Sequence, residues 1–157
     1  MHYVVLVAEK VLSGITPLLS GLSVNKDSGY LTIRDRINGS VLITVQIGKC
    51  KPEKAKKYFD FSLEKGARLF QHKKHFSSWQ SKDEGEDFYA GAIISEDLIL
   101  SFSGLSELAD EALVLMVANL CRWIHDGDAY SIAAISDNKY FTDLRSGGKL
   151  QDYKQIM

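Results

Sequence analysis

His72 and His75 stand one helical turn apart, and two carboxylates, Asp83 and Glu84, follow a short way down the chain. Imidazole nitrogens with carboxylate oxygens are a common donor set for zinc and iron. His72, His75 and Asp83 are therefore the candidate metal ligands, and a metal held there would activate water or polarise a carbonyl. The same two histidines near a helix end would also complement the negative pole of the helix with nothing bound. Cys121 and His125 form a second pair at i, i+4. A thiolate beside an imidazole can hold a metal or serve as nucleophile and base, whereas a cysteine on an apolar helix is a small core residue.

Aromatic and basic residues make a different kind of site. Trp79, Phe88 and Tyr89 cluster near one another in sequence and would floor a pocket for a flat ligand, or pin a loop to the core. Lys49, Lys51, Lys54, Lys56, Lys57, Lys65, Arg68, Lys73 and Lys74 crowd one segment, and the acids Asp83, Glu84, Glu86, Asp87, Glu96, Asp97, Glu107, Asp110 and Glu111 follow it. Such segregation is a surface for an anionic ligand or an acidic partner, or else a solvated helix face balanced by nearby loops. Trp79, Tyr89, Lys57 and Arg68 are the candidate ligand-binding residues. No nucleophile elbow, phosphate-binding loop, dinucleotide fingerprint or HExxH helix occurs in the sequence, so the common motif-bearing enzyme classes gain no support.

The elements that would carry these residues are legible in part. Tyr30, Thr32, Arg34 and Arg36 alternate with Leu31, Ile33, Asp35 and Ile37, largely separating polar from apolar faces, Asn38-Gly39 offers a type I′ turn, and Val41–Ile47 returns as the partner strand. Pro52 suits the first turn of a helix, on which Ala55, Phe59, Leu63, Gly66 or Ala67, and Phe70 recur at helical steps as an apolar stripe. Ser77–Asp87 reads as a polar surface loop. Phe88–Ile94 and Leu98–Phe102 then form a second hairpin around Ser95-Glu96-Asp97. Ser106 is a candidate N-cap for a helix whose run from Ala112 to Ile124 is apolar around most of its circumference and needs cover on more than one side.

The flanks are harder to read. Tyr3–Ala8 is β-branched and aromatic and reads as a short first strand, with a buried helix start as the alternative. Leu12–Val24 suggests a broken helix or loop anchored by Ile15, Leu18 and Leu19, with Pro17 as breaker. Tyr130–Ile135 reads as a late strand. These elements define one α+β domain over residues 1–136, an antiparallel sheet of about five strands built from two hairpins with flanking helices. A C-terminal tail over 137–157 is expected to be loosely held.

Composition narrows the classes. The chain has 157 residues, 45% of them hydrophobic and 25% charged, enough to hide roughly 70% of the unfolded surface in one domain. A formal charge of −1 excludes nucleic acid as a default partner. Cys50 and Cys121 follow no disulfide or zinc-ribbon spacing, Met1–Ala8 has no basic leader, and Glu9-Lys10 interrupts its apolar run. A cytoplasmic protein with no membrane association is therefore expected.

Gly91-Ala92-Ile93, Ser101-Phe102-Ser103-Gly104-Leu105 and Asp110-Glu111-Ala112 together resemble the closing segment of the GlcG-like (haem-binding HbpS-type) family. Asp27-Ser28-Gly29-Tyr30-Leu31, with Arg34 downstream, resembles that family's early hairpin. The resemblance implies a profilin-like layout and symmetric oligomers. It departs at Tyr89-Ala90-Gly91, where the family has a Gly-Gly step, and in lacking the family's long N-terminal helix. Members are linked to haem, cobalamin-related and glycolate pathways, so the resemblance implies no particular cofactor and transfers no ligand residue. The expected function is a non-enzymatic, homo-oligomeric small-ligand-binding or sensory module. A metal-assisted enzyme and a protein–protein interaction module are the alternatives.

Overall fold

A computed structural model describes residues 2–19 and 27–146. Among them are helices α1 (His2–Ile15), α2 (Pro52–Gln71), α3 (Glu107–Leu120), α4 (Asp126–Ser136) and α5 (Lys139–Ser146). Strands β1 (Gly29–Asp35), β2 (Val41–Ile47), β3 (Ala92–Ile94) and β4 (Leu98–Ser103) form one antiparallel sheet in the order β2-β1-β4-β3. Both hairpins are present and their outer strands flank the sheet, because β1 and β4 pair at its centre.

Alternation on β1 divides the molecule into layers. Leu31 and Ile33 point into the main apolar core, which α1, α3 and α5 complete. Tyr30, Thr32 and Arg34 face the other way, and there α2 covers them. Thr32 and Ser62 share a hydroxyl hydrogen bond of 2.9 Å, Arg34 Nη2 donates to the Leu63 carbonyl at 2.9 Å, and the Tyr30 and Phe59 rings meet edge to face at 5.5 Å. Ser101 adds a bond from its hydroxyl to the Ser62 carbonyl. The polar face of the sheet is thus an interior surface satisfied mostly by hydroxyls and carbonyls, with Arg34 Nε without a hydrogen bond among the described residues.

This changes which side of α2 is buried. Ser62, Lys65, Gly66 and Leu69 form the inward stripe; of the predicted stripe of Ala55, Phe59, Leu63, Gly66 or Ala67, and Phe70, Gly66 alone is fully buried and Phe59 is 38% exposed. The apolar pattern misleads because the face that α2 covers is itself polar.

Two predicted strands are helices. Tyr3–Ala8 lies in α1, whose Val7, Ala8, Val11, Leu12 and Ile15 recur at helical spacing against α3. By length and composition His2–Leu19 would also suffice to cross a bilayer, and 39% of it is buried in the molecule. Tyr130–Ile135 lies in α4, where Ala129, Ile132 and Ala133 are buried and Asp126 and Asp128 occupy the first turn. A six-residue window was too short to separate the two periods. Of the anchors expected at Leu12–Val24, Ile15 and Leu19 are buried but Leu18 is 41% exposed; residues beyond Leu19 lie outside those described. Within the predicted tail, α5 seats Phe141 and Leu144 in the core, and the Phe141 and Tyr130 rings meet at 5.2 Å. Residues 147–157 lie outside those described.

The predicted type I′ turn is a longer loop. Gly39 has φ +77° but Asn38 does not enter the left-handed region, and the Asp35 carboxylate accepts the N–H groups of Ile37 and Asn38. Helix α3 is buried along Ala109–Leu120 by the sheet, α1, α4 and α5. The cover on more than one side that its apolar run calls for is supplied by these elements.

Candidate functional site

The acidic first turns of α3 work inward as clamps. Glu107 accepts the Ala90 N–H at 2.9 Å and pairs with Lys82 at 3.1 Å. Asp110 accepts the Leu105 N–H at 2.8 Å and pairs with Lys65 at 2.9 Å, both side chains 3% exposed. Ser106 stands at the N-cap as expected, but its hydroxyl makes no cap bond.

Glu111, fully buried, accepts from Ser77 Oγ, Ser136 Oγ and Asn138 Nδ2. Its carboxyl joins the segment after α2 to the end of α4. Burial pushes its pKa above the ordinary carboxylate value, against the lowering effect of its three donors. A group bound more tightly to its proton when folded contributes stability that is complete below the unfolded pKa and lost as pH rises through the folded one. In urea titrations, the stability of the wild type relative to Glu111→Gln is therefore expected to fall as pH rises from the ordinary 4.5, and to be flat below it. A difference that rises with pH would contradict this.

The predicted ligand residues lie on α2 and on the segment that follows it, and Arg68 and Tyr89 are in direct contact. Arg68 is buried, and its guanidinium donates to Glu64, to the Ser78 and Tyr89 carbonyls and to Ser81, with the Phe88 ring 4.9 Å away. All its donors are engaged in pinning the 78–89 segment. Trp79 lies half-buried under the Lys82 ammonium, 4.2 Å from its ring. Lys57 and Tyr89 both approach Phe61, at 5.9 and 5.5 Å, and Lys57 and Phe61 line a shallow groove on the outer face of α2.

His72 and His75 stack at 4.7 Å with nearly parallel rings, while Asp83 accepts the Gly85 N–H as the cap of a short turn. Among the described residues no three His, Cys, Asp or Glu side chains form a group able to hold a metal. The expected three-ligand set is not assembled. Cys121 closes α3, and burial pushes its thiol up to about 11 from 9.0. Its thiolate share at pH 8 is then about a hundredfold below that of the unfolded chain. Iodoacetamide at that pH is expected to label Cys121 slower by about the same factor than in urea, read by peptide mass spectrometry; equal rates would refute it.

A concavity lies elsewhere, at the β3 end of the sheet. Here a cleft of about 680 Å³ is lined by Phe76, Ile94, Trp123, Ile132 and Ile135, with Arg36, Glu96, His125 and Asp128 also contributing. Three backbone ties hold its borders. Ile94 donates to the Phe76 carbonyl at 3.0 Å, Glu96 to Trp123 at 3.2 Å, and Arg36 to Asp97 at 3.0 Å. Glu111 fixes the residues next to Phe76 and Ile135 through Ser77 and Ser136.

Sequence reasoning missed this cleft because its residues are scattered from Arg36 to Ile135. Phe76 and Ile135 are 49% and 39% exposed in the fold, but nothing local in the sequence marks them. The chain matches no family model, no curated protein and no solved structure.

Proposed function

We propose that the protein is a small-ligand-binding or sensory module whose site is the cleft between β3 and α4. The observation that carries this reading is the cleft itself. Its volume is that of a small-molecule site, its floor is apolar and aromatic, and a few charged groups stand around it. Binding is favoured over catalysis because the buried ionisable groups Lys65, Arg68, Asp110 and Glu111 are all engaged in holding the chain together.

The likeness to the GlcG-like family supports the same reading. Its quoted motifs fall at the strands, at the β4–α3 turn and in the first turns of α3, the α2/sheet/α1–α3 layering suits a profilin-like layout, and a 14-residue helix stands at His2–Ile15, where the sequence reads as a strand with a helix start as the alternative. A homo-oligomer in the cytoplasm remains part of the proposal, the free cysteines Cys50 and Cys121 suiting a reducing compartment.

Titration of isotope-labelled protein with a library of small apolar compounds tests the site. Saturable shifts are expected at the Trp123 indole and the Ile132 methyls, and to be abolished by Ile132→Arg. Shifts confined to the outer face of α2 would overturn it.

A further inference from the structure

Arg36, Glu96, His125 and Asp128 stand on the border of the cleft, and their hydrogen bonding shows what they still offer. The Arg36 side chain is anchored through Nη1 alone, to the carbonyls of Ser95 at 2.7 Å and Glu96 at 3.3 Å. Its Nε and Nη2 make no hydrogen bond among the described residues. That edge is the one with which a guanidinium grips a carboxylate through two parallel bonds. Glu96 and Asp128 are exposed and take part in no ion pair among the described residues. Trp123, Phe76, Ile132 and Ile135 line the same cleft.

A ligand carrying one sign of charge answers only part of this border. An anion on Arg36 would leave Glu96 and Asp128 as repelling neighbours, and a cation on the carboxylates would face the guanidinium. Seating an apolar body here also removes water from both kinds of group, which costs free energy unless each gains a partner.

We propose that the cleft takes an apolar zwitterion, its carboxylate on the free edge of Arg36, its ammonium on Asp128 and Glu96, and its body on Trp123 and Ile132. This is the chemistry of an apolar amino acid or of a short apolar peptide with both ends unblocked. The aromatic face of Trp123 further favours the ammonium end. The inference rests on the cleft being the ligand site.

The test uses the whole chain and four probes followed at the Trp123 indole: leucine, dileucine, N-acetyl-dileucine and dileucine amide. Dileucine is expected to bind about three- to fivefold more tightly than either blocked form, the effect of one exposed charge pair. Arg36→Gln should erase the gap between the free and amidated peptides and keep the gap to the acetylated one. Asp128→Asn should do the reverse. That crossed pattern is one that general damage to the fold would not produce. Leucine binding as tightly as dileucine would identify the amino acid as the ligand, and weaker binding the peptide. Equal affinity for free, acetylated and amidated peptides would overturn the zwitterion while leaving the cleft as a site. If neither these probes nor neutral apolar compounds move the Trp123 or Ile132 signals, both readings fall.

Discussion

Replacing Lys65 with methionine lowers the unfolding free energy by about 3–5 kcal/mol, because it removes the cation from a pair whose acid stays buried. Lys65 lies on α2 and Asp110 on α3, on opposite sides of the β4 end, and both side chains are 3% exposed. The ammonium also donates to the Phe102 carbonyl at 3.0 Å. Methionine fills much the same volume, so the loss measures the missing cation more than a cavity. For a domain of this length the thermal midpoint should fall by roughly 6–20 °C. Asp110→Asn added to Lys65→Met should restore part of the loss, since the amide still accepts the Leu105 N–H without a charge to bury. Urea unfolding of the wild type and the two variants checks it; Lys65→Met within about 1 kcal/mol of wild type would show that Asp110 does not depend on this cation.

Gly104→Ala is expected to be of similar size, about 3 kcal/mol or more, for steric reasons. The start of β1 and the end of β4 touch through glycines. A Cβ on Gly104 would stand 2.1 Å from the Ser28 carbonyl oxygen and 2.6 Å from the Gly29 Cα, and the residue has φ +154°. Both neighbours are backbone, so no rotamer change relieves the clash. Gly127, in the first turn of α4, is the control. Nothing lies within 4 Å of an added Cβ there, and alanine should stabilise by a few tenths to about 1 kcal/mol. Thermal midpoints that move in opposite directions support the argument. A Gly104→Ala protein as stable as wild type would show that the strand ends separate at little cost.

Several elements were legible because the signal was local. Pro52 at the start of α2, the alternation of Leu31 and Ile33 with Thr32 and Arg34, and the turn between β3 and β4 each follow from backbone or period rules acting within about ten residues. The N-terminal and late helices were misread where β-branched residues overrode a helical spacing that only a longer window reveals. Helix propensities differ by less than about 1 kcal/mol per residue, so packing of Val7, Val11 and Ile15 on α3 decides the matter.

The candidate site shows the same division more sharply. Lys65 and Arg68 belong by sequence to a basic, solvated helix, and only the polar underside of the sheet and the 78–89 segment reveal that they face inward. Glu107, Asp110 and Glu111 follow the ordinary preference of acids for a helix start, yet each is spent on a different distant group. The cleft depends on Arg36, Phe76, Trp123 and Ile135 being brought together from four separate segments. Composition and periodicity therefore settled the α+β class, the two hairpins and the long helix α2, since these arise from contacts between near neighbours. The layer order, the burial of a polar sheet face and the cleft were decided by tertiary structure alone, because each depends on residues far apart in sequence whose partners no local pattern names.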